Sequence, residues 1–317
     1  MKPFFSVVIS VYNKELFISK TLNSVLNQTF KDFEVIIIND GSTDQSLDIL
    51  NAFEDQRITI ISQENAGASQ ARNTGMAVAK GVFIALLDGD DLWEPLFLES
   101  IHELTKKHPS YSVFGAAIAH KHEQKITPVP YSFEHFKDER ILDYFKASKR
   151  HTILSGSSTI FRKDILKKTG NFDTTIASGQ DTDLWIRIGL NYPIVFLNTV
   201  LVYYVQNEHS LSNITTDVNA KSKLDKYLEE EKTNSDLKIF MDNNRFSLAI
   251  LGRLNHNERA YNYYKSGISQ QHLSLKRRIL LNAPKWMIKL FLNFKKAKKE
   301  KTYFPVLEAT KSPKSRM

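Results

Sequence analysis

The chain has 317 residues, 42% hydrophobic and 25% charged, with no cysteine. That excludes disulfides and thiolate chemistry and reads as a soluble globular protein of one large domain plus an appendage. The net charge of +8 is local: residues 273–301 hold ten Lys/Arg and one acid, residues 302–317 three and one, and the rest of the chain is net −3, which argues against a nucleic-acid-binding core. Phe5 to Val11 (FSVVISV) opens the chain as a buried strand, since the apolar run lacks the long core and cleavage site of a secretory signal. No window reaches the ~20 apolar residues needed to span a bilayer.

Strand and helix signals then alternate. Ile18, Leu22, Val25 and Leu26 recur on one helical face, and Phe33 to Ile38 reads as a second strand. Ser42-Thr43-Asp44-Gln45 has the pattern of a capping box opening a helix with Leu47 and Leu50 inward. Ile58 to Ile61 is a third strand, Ala68 to Ala79 a small-residue helix, and Val82 to Leu87 a fourth strand. Pro95 marks the first turn of a helix reaching about Lys107. Continuous apolar strands separated by helices indicate a parallel sheet covered on both faces. Beyond it, Tyr111 to Ala119 and Ser158 to Phe161 read as strands, with a polar, proline-containing stretch between them expected to loop over the surface. Asp181 to Leu190 reads as a short helix, Ile194 to Val205 as one or two strands, and Asp217 to about Gly267 as helical.

In such a sheet, ligands bind beyond the carboxyl ends of the strands. Three polar clusters fall there: Tyr12-Asn13-Lys14-Glu15, Asn39 to Asp44, and Asp88-Gly89-Asp90-Asp91. Singly, each suits a turn or a helix cap; together they make a coherent site. The last cluster packs three carboxylates into four residues beside an apolar strand, a costly arrangement unless a cation is present, and hard oxygen ligands suit Mg²⁺ or Mn²⁺ bridging to a diphosphate. There is neither a G-x-G-x-x-G after the first strand nor a Walker A sequence, which disfavours dinucleotide-binding and phosphate-loop folds. His120-x-His122 lacks a further ligand in the sequence and is expected at the surface.

SVVISVYNKE (6–15), EVIIINDGSTD (34–44), NAGASQARNTG (65–75) and LLDGDD (86–91) follow the order and spacing of inverting glycosyltransferase family 2, which the first 215 or so residues resemble. The resemblance implies an α/β GT-A fold, with a mostly parallel central sheet flanked by helices, and a nucleoside-diphosphate-sugar donor. By it, Tyr12 and Glu15 line the nucleotide pocket and Asp40 accepts a hydrogen bond from the base, usually uracil. Arg72 lies beside the donor, while Asp88 and Asp90 match the DxD pair that meets ribose and metal-bound diphosphate. SGQDTDLWIRIG (178–189) resembles the segment carrying the catalytic base, here Asp181, with Trp185 one turn behind it to flank a sugar ring; Gln180 stands where the family usually has Glu. SGSSTIFRKD (155–164) and GNFD (170–173) match acceptor-side segments, with Ser157 facing the sugar. His209, in Glu208-His209-Ser210-Leu211-Ser212, matches a late motif whose His lies near the diphosphate or metal.

The expected layout is a GT-A domain over 1–216, a helical appendage over 217–271 and a basic amphipathic tail over 272–317. Lys285 to Phe294 (KWMIKLFLNF) sets Lys285, Lys289 and Asn293 on one stripe of a helix begun by Pro284 and apolar side chains elsewhere, the pattern of an interfacial helix on an anionic membrane surface. These readings imply transfer from a nucleotide sugar, with Mn²⁺ or Mg²⁺ as cofactor. The acceptor is a glycan or lipid-linked saccharide, at the cytoplasmic, inner face of the cell membrane. A non-catalytic nucleotide-sugar-binding protein is the alternative, for which Gln180 is the one hint.

Overall fold

The computed structural model describes residues 2–205, 217–218, 221 and 224–297. The chain forms two compact units, 1–207 and 208–317.

The first unit is built on β1 (Phe5–Val11), α1 (Ile18–Leu26), β2 (Phe33–Asp40), α2 (Ser46–Asn51), β3 (Ile58–Gln63), α3 (Ala68–Val78), β4 (Phe83–Asp88), β5 (Leu92–Trp93) and α4 (Phe97–Lys107). It continues through β6 (Val113–His122), β7 (Lys125–Pro128), β8 (Glu139–Leu142), α5 (Tyr144–Ala147), β9 (Thr159–Arg162), α6 (Leu166–Thr169), α7 (Gln180–Gly189) and β10 (Ile194–Val205). One sheet takes them in the order β3-β2-β1-β4-β9-β6-β10-β5, with β7 on β6 and β8 on β10.

The sheet is mixed. β3, β2, β1 and β4 run parallel, as their β-branched, doubly covered sequences foretold. β9 then inserts antiparallel between β4 and β6, and β10 pairs parallel with β6 through two register shifts. The core beneath it joins Val7, Ile9, Val35 and Ile37 to Ile18, Leu22 and Val25 of α1 and Phe97 and Ile101 of α4. The stretch expected to be a surface loop before Ser158 instead contributes two sheet strands, β7 and β8, and the short helix α5.

The second unit holds α8 (Leu228–Thr233), α9 (Ser235–Leu254), α10 (Glu258–Ser266), α11 (Leu275–Asn282) and α12 (Lys285–Ala297). Asn234 caps α9 by accepting from Leu237 N at 2.9 Å, and Asn257 caps α10 by accepting from Ala260 N at 3.0 Å. The expected boundary at 271/272 is not a boundary of the fold. Leu273, Leu280, Leu281, Ile288 and Leu292 share one buried cluster with Phe246, Ile250 and Tyr261, so among the described residues the helical core runs across 271/272. Leu281 is 1% exposed. Leu281→Ala should therefore cost about 2–5 kcal/mol, read as a lower urea midpoint of the helical unit. An unchanged midpoint would show that α11 is peripheral to it.

Candidate active site

β1, β2 and β4 are adjacent and parallel, so the residues that follow them emerge on one edge of the sheet. The first two loops are laced together. Asn13, at φ 51°, accepts from Thr43 N at 2.8 Å, Lys14 N donates to Ser46 Oγ at 2.7 Å, and Glu15 N donates to Asp44 Oδ2 at 3.0 Å. Helix α2 starts at Ser46, not within the Ser42–Gln45 box, and the acid that accepts from Gln45 N at 2.9 Å is Glu15, from the neighbouring loop. Its carboxylate is thus engaged in seating α2 at the rim, a contact that a local motif search does not find. Tyr12 stands 47% exposed on the same edge.

Asp40 is only 2% exposed, and its carboxylate accepts from Gln63 Nε2, Ala66 N and Gly67 N at 2.7, 3.0 and 2.9 Å. It holds the turn into α3, leaving about one of its four acceptor positions for a ligand. Gly41 makes this turn possible: its φ is 70°, and a Cβ there would lie 2.8 Å from Asn65 N.

The three carboxylates after β4 diverge, and each meets a different donor. Asp88 Oδ1 accepts from Arg72 Nη2 at 2.5 Å, and Asp90 Oδ2 from Lys14 Nζ at 2.5 Å. Asp91, 5% exposed, accepts from Ser157 Oγ at 2.6 Å and Val205 N at 3.2 Å. Burial first, then the charges of Asp90 and Asp88, push the Asp91 carboxyl well above the usual carboxylate range against those two hydrogen bonds. Two cations that offset the crowding of these carboxylates, Arg72 and Lys14, belong to the chain.

Ser157 corrects an expectation. It is fully buried, accepts from Asp88 N at 3.2 Å and donates to Asp91, so it braces the acidic turn from beneath and faces no acceptor sugar. The bend before it fits because residue 156 is glycine: a Cβ there would lie 3.0 Å from Asp88 Oδ2 and 3.4 Å from Arg72 Nη2.

Arg72 is the hub. It is 6% exposed, its guanidinium carbon lies 5.2 Å from the Phe172 ring centroid, and its Nη1 has no partner among the described residues. Burial alone would lower its pKa; the charge and hydrogen bond of Asp88, with the charges of Asp181 and Tyr204, outweigh that and raise it. Tyr204 lies in the same field: burial first, then Asp91 and Asp88, raise its phenol well above the usual value, with Asp181 adding to the effect. Asp181 therefore shares one electrostatic environment with Arg72, Asp88 and Tyr204.

Gly179, at φ 83° in the left-handed region, turns the chain into α7. Asp181 in the first turn is partly exposed and accepts from Thr182 N at 2.9 Å. Gln180 is 6% exposed, and its Oε1 lacks a partner among the described residues. Trp185 is the second correction. It is 1% exposed and meets Phe172 edge-on at 6.4 Å, so one helical turn behind Asp181 lies the core, where the indole has no open face for a sugar ring. His209 lies outside the described residues. Lys14 and Asp91, read from the sequence only as members of polar clusters, pair within the acidic turn, and Tyr204 joins them without having been singled out by the sequence reading.

A family model for glycosyl transferase family 2 matches residues 6–170, more than half of the chain. The chain belongs to glycosyl transferase family 2. Among curated relatives, the uncharacterized glycosyltransferase EpsJ of Bacillus subtilis is 28% identical over 239 residues, covering 73% of this chain and 68% of EpsJ. The minor teichoic acid biosynthesis protein GgaB of Bacillus subtilis is 32% identical over 196 residues, 57% of this chain but 20% of GgaB. The chain likewise matches only 39% of the glycosyltransferase GlyG of Streptococcus pneumoniae. Among solved structures, S. aureus TarS 1–349 in complex with UDP-GlcNAc superposes with a TM-score of 0.62 at 20% identity, covering 92% of this chain and 79% of that one. That likeness establishes the GT-A-like α/β fold.

The family's divalent cation fits this acidic turn. Mg²⁺ and Mn²⁺ at phosphate sites take one or two carboxylates and fill the remaining positions with water and phosphate oxygens, and Asp88 and Asp90 are two such carboxylates at one strand end. Among the described residues no set of three acidic or histidine ligands exists, so an all-protein cage is not formed there. Since Lys14 holds Asp90, a metal would compete with it. Lys14→Met should tighten Mn²⁺ binding about fivefold, the upper range for a part-exposed ion pair, in a calorimetric titration. An unchanged affinity would separate Lys14 from the metal position.

Proposed function

We propose that this family 2 enzyme is an inverting, hexosyltransferase-type glycosyltransferase that moves a sugar from a UDP-sugar to a hydroxyl of a glycan or lipid-linked saccharide in cell-surface polymer synthesis. The observation that carries this reading is the Arg72–Asp88 pair: one buried guanidinium holds the first carboxylate of the acidic turn, which lies with the polar loops after β1 and β2 along one sheet edge. TarS, which shares the fold, was solved with UDP-GlcNAc, and GgaB acts in minor teichoic acid biosynthesis, which favours a UDP-sugar and a surface polymer.

In this reading the donor's base lies by Tyr12, with Asp40 holding the adjoining turn and offering its remaining acceptor position. Glu15 keeps α2 in place beside it. Asp88 and Asp90 would hold Mg²⁺ or Mn²⁺, which when bound supplies neutralisation of the leaving diphosphate. The Asp181 carboxylate takes the proton of the acceptor hydroxyl as that oxygen attacks the anomeric carbon from the face opposite the departing nucleoside diphosphate. Arg72 fixes Asp88 at the donor end, and Asp91 with Ser157 keeps the acidic turn from shifting.

The basic C-terminal region supports a peripheral position on an anionic membrane surface, at the cytoplasmic, inner face of the cell membrane, where a lipid-linked acceptor would be met. No helix among the described residues is long and apolar enough to cross a membrane. Donor class is tested by thermal shift with a panel of nucleotide sugars with and without Mn²⁺. A ligand at 100 times its Kd that binds only the folded state stabilises it by about 2.7 kcal/mol. UDP-sugars with Mn²⁺ should raise Tm most, and selective stabilisation by GDP- or CMP-sugars would overturn the UDP assignment.

A further inference from the structure

The α11–α12 hairpin has two apolar faces. One packs into the core of the helical unit through Leu280, Leu281, Ile288 and Leu292. The other is exposed: Leu275 at 73% and Ile279 at 56% lie four residues apart on α11, and Trp286, Leu290 and Phe294 at 66%, 63% and 59% lie four apart on α12. Large apolar side chains repeated at helical spacing form an exposed stripe on each helix, and clustered exposed apolar side chains mark an interaction site.

Between the two helices runs a groove of about 360 Å³ lined by Leu275, Lys276, Ile279, Leu280, Met287 and Phe291. Its one charged lining residue is Lys276, whose ammonium lies 4.5 Å from the Phe291 ring centroid. Cations border the apolar stripe in sequence, Lys276 after Leu275, Lys285 before Trp286 and Lys289 before Leu290, and no acid occurs between Glu258 and Glu300. A protein partner of this surface would need matching acids. An anionic bilayer offers both the charge and the hydrocarbon, and short amphipathic helices with Trp and Phe at the polar boundary lie in its interface.

We infer that this hairpin lies flat in one leaflet of an anionic bilayer, with a lipid hydrocarbon chain in the α11–α12 groove and Lys276 against the lipid headgroup. The inference rests on the membrane-surface reading above and adds to it the inserted face, the groove and its occupant. The buried face stays in place, so insertion needs no unfolding of the helical unit.

The three tryptophans make the test direct. Trp93 and Trp185 are 4% and 1% exposed, so only Trp286 is free to report a new surrounding. Full-length protein should bind phosphatidylglycerol vesicles with a blue shift in tryptophan emission, and lipid brominated on its acyl chains should quench that emission. Neutral phosphatidylcholine vesicles should do so at least tenfold more weakly. Trp286→Phe should abolish the shift while the protein still sediments with vesicles. Ile279→Glu, placing a charge in the groove at an exposed position, should weaken vesicle binding at least tenfold at low salt with an unchanged Tm. Salt-sensitive sedimentation without the Trp286 shift or quenching would overturn insertion and leave only surface attraction. Full binding by Ile279→Glu would overturn groove occupancy. Absence of sedimentation with anionic vesicles would remove both the inference and the membrane reading beneath it.

Discussion

Asp181→Asn should reduce turnover by roughly 10²–10⁴-fold, the range for a lost general base. Asparagine keeps the shape and can still accept from Thr182 N, so the first turn of α7 survives, but it takes no proton from an acceptor hydroxyl. Donor affinity should hold, because the proposed donor-side carboxylates Asp88 and Asp90 lie at and just past the end of β4, on a different element. Steady-state kinetics at saturating donor, with a separate binding titration, checks both halves. A variant with collapsed donor binding and normal turnover would move Asp181 to the donor.

Asp90→Ala should abolish transfer and with it the Mn²⁺-dependent part of the stabilisation by UDP. The loss should exceed the roughly 10–100-fold cost of removing an outer partner of a metal ligand. Lys14 then loses its carboxylate, but it is part-exposed and can return to water, so the fold should persist. Circular dichroism and thermal shift with and without Mn²⁺ separate the effects. Full activity of the variant in chelator would remove Asp90 from the metal position.

The polar edge of the sheet was legible in the sequence because β1, β2 and β4 are buried on both faces. Such strands read as unbroken β-branched runs, their ends are sharp, and the polar residues just past those ends must meet where the strands are neighbours. What those residues touch was not legible. Lys14 and Asp90 are 76 positions apart and Ser157 and Asp91 are 66 apart: the first pairing is set by the adjacency of β1 and β4, the second by the antiparallel insertion of β9. The short run at Ser158 to Phe161 carries no sign of that direction. Ser157 and Trp185 illustrate a second limit: motif position places a residue near a site, while burial decides whether it lines the site or supports it.

The C-terminal hairpin shows the same ambiguity in a helix. Its apolar residues occupy more than one face, and periodicity alone does not say which face docks. Ile288 and Leu292 go inward, while Trp286 and Leu290 stay out. The charge run was visible at once, but the split between core and exposed stripe needed the packing of α9 and α10, against which the inward face closes.

The central claim is that Asp181 and the Asp88/Asp90 turn act together in sugar transfer, and that this is not a protein that only holds a nucleotide sugar. The direct measurement is UDP release by the purified full-length chain from a panel of UDP-sugars with Mn²⁺, run beside the Asp181→Asn variant. The expected result is release from at least one UDP-sugar by the parent chain, faster when a saccharide acceptor is added, with the variant binding that donor equally well and releasing little. Tight, Mn²⁺-dependent donor binding by both proteins with no release by either, with or without acceptor, would contradict the claim and favour the binding protein.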